Sequence, residues 1–241
     1  MTAATFAATF EARGLTCIRG ERVVFENLAF SVAPGGALLL RGANGTGKSS
    51  LLRICAGFLQ PAAGELRWNA APVAGDIDAH RARLAYVGHL DAVKPAFTVA
   101  ENVAFWLRLT SSGASPLPPH PALPQGMGEG SKQALPQPSG EGGMGEPTGS
   151  ALAALGLGHL ASLPAAYLSA GQRRRLNLAR LAGSAAPLWL LDEPTSSLDD
   201  ASTHALLTLI EAHRAGGGMA VIATHQDLPL TKAEKLRIGA P

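Results

Sequence analysis

Apolar residues along the chain fall into two patterns, short unbroken runs and stretches of helical periodicity. Ala37-Leu38-Leu39-Leu40-Arg41 is a run of the first kind and stops at Gly42. From Lys48 to Ala56, Leu51, Leu52 and Ile54 recur at helical spacing, and Gly57 follows in a helix-ending position. The segment therefore predicts strand, loop, helix. Leu84 to Val87, Leu188 to Leu191 and Met219 to Thr224 predict further buried strands, each too short for a buried helix. Two helix starts carry a capping box. Thr98-Val99-Ala100-Glu101 precedes a helix through Leu109, and Ser169-Ala170-Gly171-Gln172 precedes one through about Leu181. Strands separated by helices imply an α/β fold with a mainly parallel sheet. No internal repeat interrupts this order.

Between Ser111 and Ser150 the pattern disappears, with nine Gly and eight Pro in forty residues. Such a stretch buries too little apolar surface to offset the entropy of ordering it, and it reads as a flexible insertion between two ordered parts. A Pro-rich docking motif is the alternative, although no clean PxxP repeat forms. The rest of the 241 residues is ample for a full hydrophobic core. Twenty Lys and Arg against eighteen Asp and Glu leave +2, too balanced to propose nucleic acid as a partner. No run approaches the roughly 18 to 20 apolar residues that span a bilayer, and the N-terminus lacks a signal-peptide layout, so a soluble cytoplasmic protein is expected. Cys17 and Cys55 form no ligand or redox spacing and read as reduced, partly buried thiols.

Gly42-Ala43-Asn44-Gly45-Thr46-Gly47-Lys48-Ser49 matches GxxxxGK[ST] between a predicted strand and helix. Its glycines let backbone N–H groups surround a β-phosphate, and the helix N-terminus adds partial positive charge. Lys48 reaches the β and γ oxygens, and the Ser49 hydroxyl suits Mg²⁺. An ordinary Gly-rich turn is the bland alternative. The expected ligand is a purine nucleoside triphosphate with magnesium, held by Gly42, Ala43, Asn44, Gly45, Thr46, Gly47, Lys48, Ser49 and Ser50.

Leu188-Trp189-Leu190-Leu191 delivers Asp192 and Glu193 at the C-terminal end of a strand, the edge where open parallel sheets bind ligands. Neighbouring strand residues point to opposite faces, so the two carboxylates can divide the work: Asp192 beside the metal ion, Glu193 on the attacking water. Acidic residues after a strand also cap following helices, which is the structural alternative.

Leu168-Ser169-Ala170-Gly171-Gln172, followed by Arg173, Arg174 and Arg175, resembles the LSGGQ signature of ATP-binding cassette (ABC) proteins. Asp192-Glu193-Pro194-Thr195, Ser196-Ser197-Leu198-Asp199 and Ala223-Thr224-His225 complete that family's order across roughly Leu15 to Asp227. The resemblance implies a P-loop NTPase fold of the ABC nucleotide-binding type. Its parts are a parallel core sheet, an antiparallel β subdomain and a helical subdomain at about 90–185 carrying the 111–150 insertion, all in one ATP-binding domain, 1–241. It also implies that Ser169, Gly171 and Gln172 meet the γ-phosphate held by a second copy of the chain, so that ATP joins two cassettes and hydrolysis parts them. Small residues and a hydroxyl at a helix N-terminus suit an anion, although Ser169 and Gln172 can equally form nothing more than a capping box. His225 stands where the family places a histidine near the γ-phosphate and the catalytic carboxylate; Lys48, Glu193 and His225 form the implied catalytic set. His80, His120, His159, His204 and His213 have no such setting and are expected to be solvated.

Departures from the wider family narrow the resemblance. His89, in Tyr86-Val87-Gly88-His89, takes the place of the glutamine that senses magnesium, so the implied metal set is Ser49, Asp192 and His89. Arg19 lies nearest the position of the aromatic that stacks on adenine, and a guanidinium can stack on a base. Ala170 replaces the first signature glycine. With Thr224-His225-Gln226, these features look like the CcmA family, the ATP-binding subunits of the haem exporter in bacterial cytochrome c biogenesis. The implied protein is a peripheral ATPase on the cytoplasmic face of the inner membrane. Its partners are integral subunits of the CcmB/CcmC type, and its hydrolysis releases a haem-loaded chaperone. Its coupling surface is expected at His89 and Asp91 to Phe105. The chain has no CxxCH, so direct haem binding is not expected. Rival readings are an ABC ATPase serving another cargo, a cassette without a transporter acting on nucleic acid or ribosomes, and a regulatory module that holds ATP without turnover.

Overall fold

A computed structural model describes residues 8–111 and 145–239. In chain order the elements are β1 (Phe10–Arg19), β2 (Arg22–Val32), β3 (Ala37–Arg41), α1 (Lys48–Cys55), β4 (Ala63–Trp68), β5 (Ala71–Pro72), α2 (Ile77–Ala82) and β6 (Leu84–Val87). There follow α3 (Val99–Ser111), α4 (Glu146–Ala154), α5 (Ala170–Ala182), β7 (Leu188–Asp192), α6 (Asp200–Ala215), β8 (Met219–Ala223) and β9 (Glu234–Arg237). Two sheets form: an antiparallel one in the order β2-β1-β4-β5, and a parallel one in the order β6-β7-β8-β3-β9.

The apolar runs become strands because both faces of the parallel sheet are covered, and the two-residue period of the pleat divides their side chains between two cores. Leu38, Leu40, Leu188, Leu190 and Val221 pack with α1 and the antiparallel sheet. Leu39, Trp189, Leu191, Ala220 and Ile222 pack with the helices on the other side. Both predicted capping boxes form. Thr98 and Glu101 exchange side-chain-to-backbone bonds of 2.8 and 3.1 Å, and Ser169 and Gln172 do the same. Among the described residues no helix is long and apolar enough to cross a membrane.

The Gly/Pro-rich stretch is helical at both ends: Ser111 closes α3, and Glu146 to Ser150 open α4. Pro147 sits in the first turn of α4, where it costs no hydrogen bond, and Thr148, Ala151 and Leu152 are buried. Residues 112–144 and His120 lie outside the described residues. Cys17 and Cys55 are free thiols, and both are fully rather than partly buried.

Two histidines expected in solvent are not there. His80 is completely buried, its Nε2 2.7 Å from the Cys55 carbonyl at the end of α1, and its ring stacks on Phe10. His213 stacks on Trp189 with ring centroids 3.9 Å apart and planes 7° from parallel, and its Nε2 lies 3.3 Å from the Met219 carbonyl. Both rings cover apolar surface that the sequence pattern assigned to no partner. Burial is the main cause that pushes His213 from its ordinary 6.5 down to about 4. The unfolded chain thus binds the extra proton between those values. The His213 contribution is complete above pH 6.5 and is lost as pH falls toward 4, the loss amounting to about 2 kcal/mol at pH 5. Urea unfolding at pH 7.5 and pH 5 measures this; His213→Phe, which keeps a ring against Trp189, is expected to lose that share of the pH dependence.

Candidate functional site

The loop between β3 and α1 is shaped by backbone conformations that ordinary residues avoid. Gly47, the residue before α1, has φ +105°, and a Cβ there would lie 2.3 Å from Val24 Cγ1 of β2. No side chain caps the first turn of α1 and no acidic residue occupies it, so its N–H groups face the loop. Lys48 is only 6% exposed, and its ammonium donates to the Gly42 carbonyl at 2.8 Å and the Ala43 carbonyl at 3.0 Å. Thr46 Oγ1 donates to Ala43 as well, at 2.9 Å. A buried cation resting on carbonyls beside open helix N–H groups is a cradle for a polyphosphate.

β7 carries Asp192 to the same edge, paired across the ladder with Ala223 of β8. Asp192 is 4% exposed, and the Ser49 side chain at the start of α1 is near enough to favour its charged form. Burial raises the Asp192 pKa above the usual carboxylate range, with Glu193 adding to the rise; Ser49, His89 and Arg174 oppose it. Among the described residues no three His, Cys, Asp or Glu side chains cluster as a metal cage. A cation here would rest on Ser49 and Asp192 and take its other ligands from phosphate and water, as Mg²⁺ with a nucleotide does.

Glu193 diverges from Asp192 for a reason other than the pleat. β7 ends at Asp192, and Glu193 adopts φ +46°, a left-handed turn that swings its side chain away. Its Oε2 lies 2.9 Å from His225 Nδ1, just beyond β8. The arrangement offers a carboxylate that can accept a proton, oriented by an imidazole, beside a phosphate cradle and a cation seat.

The phosphate loop, Ser49, Asp192, Glu193 and His225 thus converge, and His89, exposed on the loop after β6, is near enough to bias the Asp192 carboxyl. Arg19 does not join them by any polar contact among the described residues. It is exposed at the end of β1 opposite Arg22, while Val24 and Phe25 cover Gly47. Ser169, Gly171 and Gln172 open α5 and line a polar depression with Ser197, Asp199 and Ser202. A Cβ on Gly171 would meet the Ser197 carbonyl at 2.9 Å. No hydrogen bond links this depression to the phosphate loop among the described residues.

Three polar residues have a part in the site that the motifs did not assign, although Arg174 follows the signature and Asp91 opens the expected coupling segment. Arg174 reaches inward to the Asp192 and Glu193 carbonyls, and Asp91 pairs with it at 3.1 Å. Arg41, at the end of β3, bonds the Gln226 carbonyl and the Asp227 carboxylate in the loop after His225. A signal for the first was present. Arg174, Leu178 and Leu181 recur at i, i+4 and i+7, so the arginine shares the apolar face of its helix.

Residues 25–196 match the ABC transporter family model. The chain is 48% identical over 231 residues to the cytochrome c biogenesis ATP-binding export protein CcmA of Rhodospirillum rubrum, covering 96% of this chain and 86% of that one. Identity to the protein of the same name from Paramagnetospirillum magneticum is 47%, covering 96% and 94%. In fold it resembles a putative ABC transporter ATP-binding protein from Pyrococcus furiosus, with TM-score 0.72 at 20% identity over 95% of this chain and 97% of the other. A phosphate loop at a strand-to-helix turn, an acidic pair ending the next strand of the site and near-full-length likeness at this level lead to one assignment: the chain belongs to the ABC transporter family, within its CcmA group.

Proposed function

We propose that this chain is the ATP-hydrolysing subunit of a membrane ABC complex in c-type cytochrome biogenesis, the haem exporter whose cycle releases a haem-loaded chaperone. The observation that carries the reading is the 2.9 Å contact between Glu193 and His225 beside the buried Lys48, on a chain 48% identical to a cytochrome c biogenesis ATP-binding export protein. Lys48 exchanges its two carbonyl partners for β and γ oxygens of ATP. Asp192 and Ser49 hold Mg²⁺, which when bound neutralises charge on those oxygens. Glu193 accepts the proton of the attacking water, and His225 holds that carboxylate in place through Nδ1. His89 stands at the metal side and Arg19 at the purine side of the same nucleotide.

Ser169, Gly171 and Gln172 act on the nucleotide of a second copy; among the described residues no hydrogen bond joins the signature depression to the phosphate loop of its own chain. Two copies close on ATP and open after hydrolysis. The membrane partners, integral subunits of the CcmB/CcmC type, dock on the segment from His89 to Phe105, on the cytoplasmic face of the inner membrane. Leu90 is 69% exposed there, and Phe97 and Phe105 meet edge to face with Lys94 over both rings. Recovering the complex from membranes with a tagged chain tests this. Phe97→Ser or Phe105→Ser is expected to lower recovery of the integral subunits by about tenfold or more, as loss of an aromatic anchor does. Undiminished recovery would overturn the docking surface.

A further inference from the structure

Helix α5 turns one polar row, Arg174, Asn177 and Arg180, toward the end of β6 and the loop that follows it. Arg180 bonds the Tyr86 carbonyl, and its guanidinium sits 4.6 Å from the centre of the Trp106 ring. Asn177 steadies Asp91, donating to its Oδ1 at 3.2 Å. Arg174 is 2% exposed and spans two segments of chain with one group. Nη1 donates to the Gly88 carbonyl at 3.0 Å and to Asp91 Oδ1 at 3.1 Å, and Nη2 donates to the Asp192 carbonyl at 2.9 Å and the Glu193 carbonyl at 2.7 Å. Its Nε finds no partner among the described residues. Burying a guanidinium with one donor unpaired is unfavourable, so the planar fork must supply something that an apolar residue could not.

What it supplies is visible in the backbone of Glu193. A side-chain-bearing residue in the left-handed region persists only where its surroundings hold it there. The Glu193 N–H is tied to the Ala223 carbonyl at 2.9 Å, and its carbonyl accepts from Arg174 and from the Ser196 N–H. Arg174 thus secures the acceptor end of the peptide whose side chain meets His225. We propose that Arg174 is a positioning residue for hydrolysis: it holds the Glu193 turn in its strained conformation and links that turn to the Gly88–Asp91 loop. A shift of the loop thereby changes the aim of the carboxylate. This rests on Glu193 being the general base.

The test uses the intact membrane complex. Lysine keeps the positive charge of Arg174 but, as a point donor, cannot grip four acceptors in two directions. Arg174→Lys is expected to lower kcat by about 30-fold, in line with the cost of a misaimed catalytic group, while KM for ATP stays within about threefold. In the Glu193→Gln background the same change is expected to alter residual turnover by less than about twofold, because Arg174 acts through the missing carboxylate. Asp91→Asn, at a more exposed position, leaves Arg174 in place and is expected to lower kcat by about fivefold at unchanged KM, and to add nothing to Arg174→Lys. A wild-type kcat in Arg174→Lys, or an equal fold-loss in both backgrounds, overturns the positioning role; no change in Asp91→Asn overturns the link to the loop. Equal turnover of wild type and Glu193→Gln would instead overturn the general-base assignment, a separate result.

Discussion

Glu193→Gln is expected to reduce ATP turnover by about two orders of magnitude or more, while ATP and magnesium still bring two copies together. The substitution keeps the shape of the side chain and removes its basicity. The amide oxygen that replaces the carboxylate can still occupy the place of Oε2 beside His225 Nδ1, 2.9 Å away in the native chain, so the turn and the phosphate loop are left intact. Only the step that needs a proton acceptor fails. Binding precedes that step, so the closed pair accumulates instead of dispersing. Steady-state phosphate release gives the first quantity, and size-exclusion chromatography with and without ATP gives the second. Unchanged turnover would remove Glu193 from the reaction; lost turnover without a persistent pair would mean that the signature depression does not receive a second copy's nucleotide.

Lys48→Ala is expected to act earlier, on nucleotide affinity. In the native chain the buried ammonium rests on the Gly42 and Ala43 carbonyls, a geometry that waits for a stronger acceptor. Removing it deletes a charge-assisted interaction of roughly 2 to 3 kcal/mol with the phosphates, so ATP binding should weaken by roughly 30- to 160-fold. Calorimetric titration with ATP and magnesium measures this, and the contrast with Glu193→Gln is diagnostic. One variant binds without turning over, and the other turns over poorly because it binds poorly. Asp192 should impose a pH limit on both binding and rate. Burial keeps its carboxyl group protonated to higher pH than usual, and the cation seat formed with Ser49 is complete only once that proton has left.

The local parts of the site were legible because local rules make them. The phosphate loop needs a strand, glycines and a helix start within a dozen residues, and all lie in one segment. The capping boxes at Thr98 and Ser169 are satisfied within four residues, and the buried strands β3, β6, β7 and β8 announce themselves as apolar runs because both faces are covered. The antiparallel sheet was not legible from periodicity. Register shifts within β1 break the two-residue alternation between Ala12 and Leu15 and again before Ile18. β9, Glu-Lys-Leu-Arg, is an edge strand whose exposed charges hide its pairing with β3.

By itself the sequence determined which chemical groups are present and which short backbone frames carry them, since those depend on neighbours in the chain. Tertiary structure alone decided where those groups point. The left-handed turn at Glu193, the reach of His225 across from β8, the inward Arg174, the buried ring of His80 and the stacked ring of His213 each depend on partners well outside any helical turn, or on a burial that no local window contains. A side chain's identity is a property of the chain, whereas its dielectric, its hydrogen-bond partner and its strain belong to the packed neighbours.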